Sequence, residues 1–447
     1  MRKFGRAILI VYWLIVNVIV FGIGYFYISK DNQNQDVLVA QKVQVMQNTT
    51  SDFMAQQTTT NDSEVDGQAE DAANLDAQSE QEHKKDDEIQ QSEKLEANPY
   101  EEPKKLTIMA VGDNLMHMPV VRSGLQADGS YNFDHLFQGI KKEIKKADLS
   151  IINQETILCD ASLKYSGYPQ FGTPYAVGKA IHDVGFDVVL QATNHTYDKG
   201  IAGMEDSLKF WKEYKDIQMI GINETDETKE HVAFYKENGI TVAVLNYTYG
   251  LNGLKLPKGK EYMINQLSNR DQMKKDIAYA KENSDFVVVC PHWGDEYVYK
   301  PSQKQRELTE FFVEEGVDLV IGSHPHVLQP VEWVQSEDGT HRMLVYYSLG
   351  NFMSNQDAMA KILGGMAKVK IIKDKDGTRI DTAEIKPLVT HVYYDGKRRY
   401  VTYLLDQYSE KMASQHTMNQ KRRNSVSLKK LKEFANSILG EWYAVAS

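Results

Sequence analysis

Cysteine is scarce in this chain: Cys159 and Cys290 are the only two among 447 residues. A small fold stapled by several disulfides is therefore excluded. Both cysteines lie near the ends of predicted strands, so a single disulfide between them stays open. Two free, buried thiols are the favoured interpretation.

The chain also lacks any excess of positive charge, since its formal net charge is −11. Residues 31–102 carry eighteen Asp and Glu against four Lys, whereas residues 1–30 carry four basic side chains and no acidic one. The rest of the chain is therefore almost neutral. Without surplus cations to neutralise phosphates, nucleic acid is not an expected partner.

Long hydrophobic runs are limited to one, at residues 7–28, which contains no charged side chain. As a helix rising about 1.5 Å per residue, it spans a hydrocarbon core of roughly 30 Å. A cleaved signal peptide has a shorter apolar region followed by small residues. This run instead ends in Tyr25, Phe26 and Tyr27, an aromatic sequence typical of the membrane interface. An uncleaved anchor with a cytoplasmic N-terminus is therefore favoured.

Four segments follow from these patterns. Residues 1–30 form a basic N-terminus and a membrane-spanning signal anchor. Residues 31–103, acidic and nearly free of aromatic side chains, are predicted to be a disordered linker. Residues 104–405 form a folded domain outside the membrane. Residues 406–447 form a basic helical tail, for which packing on the domain is favoured over contact with a membrane surface.

Within the folded domain, short apolar runs alternate with amphipathic stretches such as those at 135–147, 268–283 and 301–316. Continuous apolar strands alternating with helices predict an α/β domain with buried strands. The predicted strands lie at 106–111, 149–152, 188–192, 241–247, 286–290, 319–322 and 343–348.

Polar side chains follow five of these strands. Each alone has an ordinary explanation as a turn former, a helix cap or a packed histidine. The carboxyl ends of strands in an α/β sheet share one edge, however, so these side chains can converge. Carboxylate, amide and imidazole donors suit Mn²⁺, Fe²⁺ or Zn²⁺, and a shared carboxylate permits two ions about 3.5–4 Å apart. The residues concerned are Asp113, Glu155, Asn194, His195, Asp198, His292, His324 and His326.

Six motifs over residues 107–355 resemble those of the CapA family of bacterial capsule biosynthesis proteins. In chain order, the motifs are GDNLMH, NQET, ATNHTYDKG, PHWGDEY, GSHPHVLQP and YSLGNF. That family includes the PgsA component of poly-γ-glutamate production and is related to calcineurin-like metallophosphoesterases. The resemblance implies a four-layer α/β/β/α sandwich with two divalent metal ions, Mn, Fe or Zn. It also implies a single-pass protein of the bacterial cell membrane, anchored by residues 7–28.

The resemblance further implies a role for each strand-end residue. Asp113 and His326 would bind one metal, and Asn194, His292 and His324 would bind the other. Glu155 would bridge the two metals. His195 would be the general acid, oriented by Asp198.

Two positions depart from the broader phosphoesterase pattern. No histidine stands two residues after Asp113, and Glu155 replaces the usual bridging aspartate. The first metal site is therefore short of one ligand. His117 could supply it if the following turn is helical, although a residue lining the pocket is the favoured interpretation.

Two functions remain open. One is an extracytoplasmic, metal-dependent phosphoesterase-like hydrolase. The other is a non-catalytic accessory subunit that works with other subunits of a polymer synthesis or export complex. A site kept only for structure does not need His195 or Asp198, and both are present. Catalysis is therefore favoured, while the substrate and its binding residues are not assigned.

The anchor predicts a topology that can be measured. Protease added to intact cells should digest the domain that begins at residue 104, because the positive residues before the span keep only the N-terminus inside. N-terminal sequencing should find the mature chain beginning before residue 30. A protected domain, or a mature chain beginning beyond residue 30, would show that the topology or the anchor is wrong.

Overall fold

The computed structural model describes residues 102–420 and 425–443. The predicted anchor, the linker up to residue 101 and the tail residues 421–424 and 444–447 lie outside this part. Within it, no helix is both long and apolar enough to cross a membrane.

The described residues form sixteen strands and ten α-helices. The strands are β1 (Lys104–Asn114), β2 (Leu149–Asn153), β3 (Leu158–Cys159), β4 (Thr173–Pro174), β5 (Val188–Leu190), β6 (Gln218–Ile220), β7 (Val232–Glu237), β8 (Ile240–Thr248), β9 (Phe286–His292), β10 (Leu319–Ile321), β11 (Val331–Gln335), β12 (Arg342–Tyr346), β13 (Asn351–Met353), β14 (Leu363–Asp374), β15 (Gly377–Asp395) and β16 (Lys397–Leu404). The helices are α1 (Met118–Gly124), α2 (Asp134–Phe137), α3 (Lys141–Ile144), α4 (Tyr175–Val184), α5 (Gly200–Lys212), α6 (Arg270–Asn283), α7 (Gln303–Glu314), α8 (Met359–Ile362), α9 (Glu410–Gln415) and α10 (Leu428–Leu439).

Most strands belong to two mixed sheets. The first sheet has the order β16-β15-β14-β1-β2-β5-β6, with β13 also paired to β1. The second has the order β11-β12-β10-β9-β8-β7. Strands β1, β2, β5 and β6 run parallel, as do β8, β9, β10 and β12. The carboxyl ends of each parallel set therefore meet at one edge of its sheet.

The two sheets pack face to face and carry helices on their outer faces. Side chains of a strand alternate between the faces of its sheet. Ile108 of the first sheet and Val244 of the second accordingly belong to one buried cluster between the sheets. The next residue, Met109, packs with α4 on the outside, and Val289 packs with α7 outside the second sheet. The predicted α/β class is confirmed, and the layers run helices, sheet, sheet, helices.

All seven predicted strands form, but the predicted helix at 135–147 is interrupted between α2 and α3. The interruption lies at Gly139, which pairs as an isolated bridge with Tyr403 of β16. A Cβ added to Gly139 would lie 2.3 Å from the carbonyl oxygen of Thr402. The close approach to β16 therefore requires glycine and breaks the helix.

The structure also shows the state of the two cysteines. Cys159 and Cys290 are both buried and both free. The favoured state, two unpaired thiols, is therefore confirmed.

The C-terminal segment contributes to the central core. Helix α10 begins at the cap residue Ser427, whose side chain accepts a hydrogen bond from the backbone of Lys430. Its apolar residues Leu431, Ala435 and Leu439 are buried in the same cluster that lies between the sheets. The helix therefore packs on the domain, which is the interpretation favoured above.

This packing predicts a stability effect. Leu431→Ala should lower the free energy of unfolding by about 2–5 kcal/mol, because it removes a fully buried side chain. The neighbouring exposed Lys432→Ala should change it by no more than about 0.5 kcal/mol. Denaturant unfolding measures both, and equal midpoints for the two variants would contradict the placement of α10.

Candidate metal centre

The predicted site residues converge where the two sheets meet. Asp113 is the penultimate residue of β1 and His292 ends β9, while the others follow β2, β5 and β10 by two to eight residues. Contacts between residues of the two sheets hold the site together: His292 Nε2 lies 2.9 Å from Asn194 Oδ1, and His326 Nδ1 lies 3.1 Å from Asp113 Oδ2. Each sheet therefore contributes part of one constellation.

Glu155 lies at the centre of this constellation. It belongs to two groups whose potential ligand atoms all lie within 4.8 Å of one another: one with Asp113 and His326, the other with His292 and His324. Its Oε1 lies 3.8 Å from His292 Nε2 and 3.7 Å from His326 Nε2. A carboxylate shared by two sets of donors is the arrangement that two neighbouring divalent cations require.

Neither carboxylate oxygen of Glu155 has a hydrogen-bond partner within the described residues, although both are buried. Burial raises the pKa of Glu155 well above the usual carboxyl range. A buried ionised group without partners is costly, and a bound cation removes this cost. Two observations therefore show that the residues fit a metal: the oxygens of Glu155 lack hydrogen-bond partners, and the surrounding donors are types that bind metals.

His326 is held through the nitrogen that faces away from Glu155. Its Nδ1 lies 3.1 Å from Asp113 Oδ2 and 3.1 Å from Asn351 Oδ1. Because both neighbours are acceptors, Nδ1 carries a proton and Nε2 is left to coordinate. Burial lowers the pKa of His326, but the carboxylates of Glu155 and Asp113 outweigh it and raise the pKa to about 9, so near pH 7 Nε2 holds a second proton that a bound cation would displace.

The second group is arranged around His292. Its Nδ1 lies 3.0 Å from the hydroxyl of Ser323 and 3.4 Å from Asn153 Nδ2, and its Nε2 lies 2.9 Å from Asn194 Oδ1. The Nδ1 atom of His324 is buried without a hydrogen-bond partner in the part of the chain described. Burial lowers the pKa of both histidines well below their usual range. Both rings are therefore neutral, as a metal ligand must be.

The loop after β10 has an unusual backbone. His324 and His326 have φ angles of 95° and 57°, in the left-handed region that side chains rarely adopt. Such a conformation costs on the order of 1–3 kcal/mol per residue and is concentrated at functional sites. The backbone N–H of His324 donates to Asp113 Oδ1 at 3.1 Å. The strained loop is thus tied to the carboxylate at the end of β1.

His195 and Asp198 form a buried pair beside the two groups. His195 Nδ1 lies 2.7 Å from Asp198 Oδ2, and the same oxygen accepts a 2.7 Å hydrogen bond from the backbone N–H of Phe171. The Phe171 ring meets the His195 ring edge-on, with centroids 4.6 Å apart. Asp198 therefore fixes Nδ1, and Nε2 is the nitrogen left to exchange a proton.

All eight predicted site residues thus lie in one region, and Glu155 belongs both to the group with Asp113 and His326 and to the group with His292 and His324. Which of them bind a metal or act in catalysis stays a prediction. His117 joins neither group of potential ligands.

Sequence reasoning missed three asparagines. Asn153 donates to Asp113 Oδ1 at 2.8 Å, Asn351 contacts His326, and Asn252 donates to the backbone oxygen of Asn194 at 3.2 Å. Asn153 and Asn351 stand within the motifs NQET and YSLGNF, which could have identified them. Asn252 lies in a loop with no comparable motif.

Comparison with known proteins identifies relatives of this chain. Residues 107–356 match the family model described as "Bacterial capsule synthesis protein PGA_cap". The capsule biosynthesis protein CapA of Bacillus anthracis is 32% identical over 265 residues, which cover 58% of this chain and 62% of that protein. The PGA biosynthesis protein CapA of Bacillus subtilis (strain 168) is 36% identical over 188 residues, covering 40% and 45%. The match therefore spans less than two thirds of either relative.

Among solved structures, the calcineurin-like phosphoesterase YfkN from Bacillus subtilis has 14% sequence identity and a TM-score of 0.41. The match covers 74% of this chain and 100% of that one. A TM-score below 0.5 is too low to support a conclusion about this chain.

The shared position of Glu155 predicts unequal effects on metal content. In the purified chain loaded with Mn²⁺ or Zn²⁺, Asp113→Ala and His324→Ala should each lose part of the bound metal. Glu155→Ala should lose the most, because both groups depend on it. Added metal should raise the melting temperature of the wild type but hardly that of Glu155→Ala.

Elemental analysis and thermal unfolding measure these effects. His182→Ala is the control and should behave as the wild type. His182 lies on α4 and forms a hydrogen bond with Asp216. Wild-type metal content in both Asp113→Ala and His324→Ala would sink the assignment.

Proposed function

The chain belongs to the bacterial capsule synthesis PGA_cap family, and from this premise we propose that it is a metal-dependent hydrolase of phosphoesters. We propose further that it acts outside the cell, anchored by residues 7–28, during synthesis of a capsule or of poly-γ-glutamate. The names of its relatives in Bacillus anthracis and Bacillus subtilis support that biological setting.

One observation carries the hydrolase proposal: the buried carboxylate of Glu155 has no hydrogen-bond partner in the described part of the chain and is shared by two donor groups. A purely structural glutamate at this depth would be paired with a donor, because an unpaired buried charge destabilises the fold. Bound cations would supply the positive charge that both oxygens of Glu155 lack.

In this proposal Asp113 and His326 hold one ion, His292, His324 and Asn194 hold the other, and Glu155 lies between them. Two such ions would polarise the phosphoryl group and activate the attacking water. The surrounding side chains keep these ligands in place: Asn153 donates to Asp113, and Ser323 contacts His292.

His195 serves in this proposal as the general acid. Asp198 accepts its Nδ1 proton, holds the ring in one orientation and stabilises the positive charge of the protonated ring. His195 Nε2 then donates a proton to the oxygen of the leaving group. Phe171 packs against the ring and its backbone N–H holds Asp198, so both partners of the pair have a fixed position.

An accessory, non-catalytic subunit is the alternative. The names of the curated relatives describe capsule and PGA biosynthesis without naming a hydrolytic reaction. The His195–Asp198 pair favours catalysis, since neither residue belongs to the two groups of potential metal ligands.

The role of His195 predicts a dependence on the leaving group. With an alkyl phosphoester, His195→Gln should lower kcat by about 10²–10⁴-fold, because the departing alkoxide needs a proton. With a nitrophenyl phosphoester the loss should be far smaller, because nitrophenolate leaves without one. Metal content and melting temperature should stay near wild type, and His182→Gln is the matched control.

Each other outcome has a distinct meaning. Loss of metal in His195→Gln would make His195 a ligand. An equal loss of rate on both substrates would mean that His195 binds the phosphoryl group without donating a proton. A metal-loaded wild type that hydrolyses no phosphoester, together with polymer production supported by His195→Gln in cells, would establish the accessory role.

A further inference from the structure

His117 lies beside the metal centre and makes one hydrogen bond through its ring within the described residues. Its Nδ1 accepts the backbone N–H of Asn355 at 3.3 Å. The other ring nitrogen, Nε2, has no hydrogen-bond partner there and is not among the buried unpartnered atoms, so it is open to solvent. The ring is half-buried and meets Phe171 edge-on, with centroids 5.4 Å apart.

This hydrogen bond determines the position of the ring proton. A backbone N–H can only donate, so Nδ1 must offer its lone pair. Burial, opposed in part by the nearby carbonyl of Leu115, lowers the pKa of His117 to about 4. The ring is therefore neutral near pH 7 and carries its single proton on Nε2.

A neutral ring in this tautomer is not a metal ligand. Coordination needs a nitrogen lone pair, but Nδ1 is occupied by Asn355 and Nε2 carries the proton. His117 therefore does not replace the ligand that is missing two residues after Asp113. Its exposed group is an N–H donor.

His117 and His195 share one aromatic neighbour, but their rings are held in opposite ways. Phe171 contacts both imidazoles edge-on. The Nδ1 of His195 faces the acceptor Asp198, whereas the Nδ1 of His117 faces the donor Asn355. His195 can therefore carry a second proton without losing its partner. His117 cannot, because a proton on Nδ1 would break its bond with Asn355.

We infer that His117 is a fixed hydrogen-bond donor for an anionic oxygen of the substrate, through Nε2–H. The inference rests on the proposed function, because it takes the anion to be the phosphoryl group held at the metal centre. In this role His117 binds the anion, whereas His195 transfers the proton to the leaving group.

Nitrogen NMR of the full chain, labelled with ¹⁵N in its histidine rings, tests the tautomer. The signals of His117 are identified by their loss in His117→Phe. They should show a bare Nδ1 and a protonated Nε2, both before and after Zn²⁺ is added. A protonated Nδ1, or loss of the Nε2 proton on addition of Zn²⁺, would overturn the inference.

Calorimetry with inorganic phosphate tests the binding role in the Zn²⁺-loaded chain. His117→Phe keeps an aromatic ring but removes the donor, so phosphate affinity should fall roughly 10- to 100-fold, as expected for a hydrogen bond to a charged group. His117→Gln supplies another N–H donor and should recover part of the affinity. His182→Phe should bind phosphate as the wild type does, and all variants should keep the wild-type zinc content.

The outcomes separate this inference from the proposed function. Reduced phosphate affinity in His117→Phe without any hydrolysis by the wild type would sustain the inference and refute the hydrolase. Unchanged affinity with hydrolysis intact would refute the inference alone. Loss of zinc in His117→Phe, or no phosphate binding by the wild type, would also refute it.

Discussion

The buried carboxylate of Glu155 is the constraint on which the rest of the site depends. Its two oxygens are removed from water without a single donor from the described residues. Removing a carboxylate from water costs several kcal/mol unless a positive charge replaces the lost hydration. Two groups of ligand atoms surround it at distances suited to cations. The described residues therefore supply no hydrogen-bond donor to Glu155, and a bound cation would take that place.

The neighbouring histidines are arranged around this requirement. Asp113, Asn351 and Ser323 contact the Nδ1 atoms of His326 and His292, which turns each Nε2 towards Glu155. The left-handed backbone at His324 and His326 costs conformational energy, and it persists because the loop is bonded to Asp113. Fixing ligands before a metal arrives reduces the reorganisation needed to bind it.

Sequence patterns predicted the parts of this structure that depend on local chemistry. The seven apolar strands form, and the strand-end residues meet because the parallel strands of each sheet share an edge and contacts such as His292–Asn194 join the two edges. The long strands β14–β16 escaped prediction, since polar side chains alternate along much of them and pairing with distant segments decides their conformation. The break at Gly139 likewise depends on β16, more than 250 residues away. The tautomer of His117 depends on Asn355, a contact with no local signal.

The position of helix α10 has a consequence for the order in which the chain can fold. The last predicted metal ligand is His326, but the core between the sheets also needs Leu431 and Leu439 near the C-terminus. A ribosome releases residues in order, so the part of the core that α10 supplies is added only after the strands of both sheets have been synthesised.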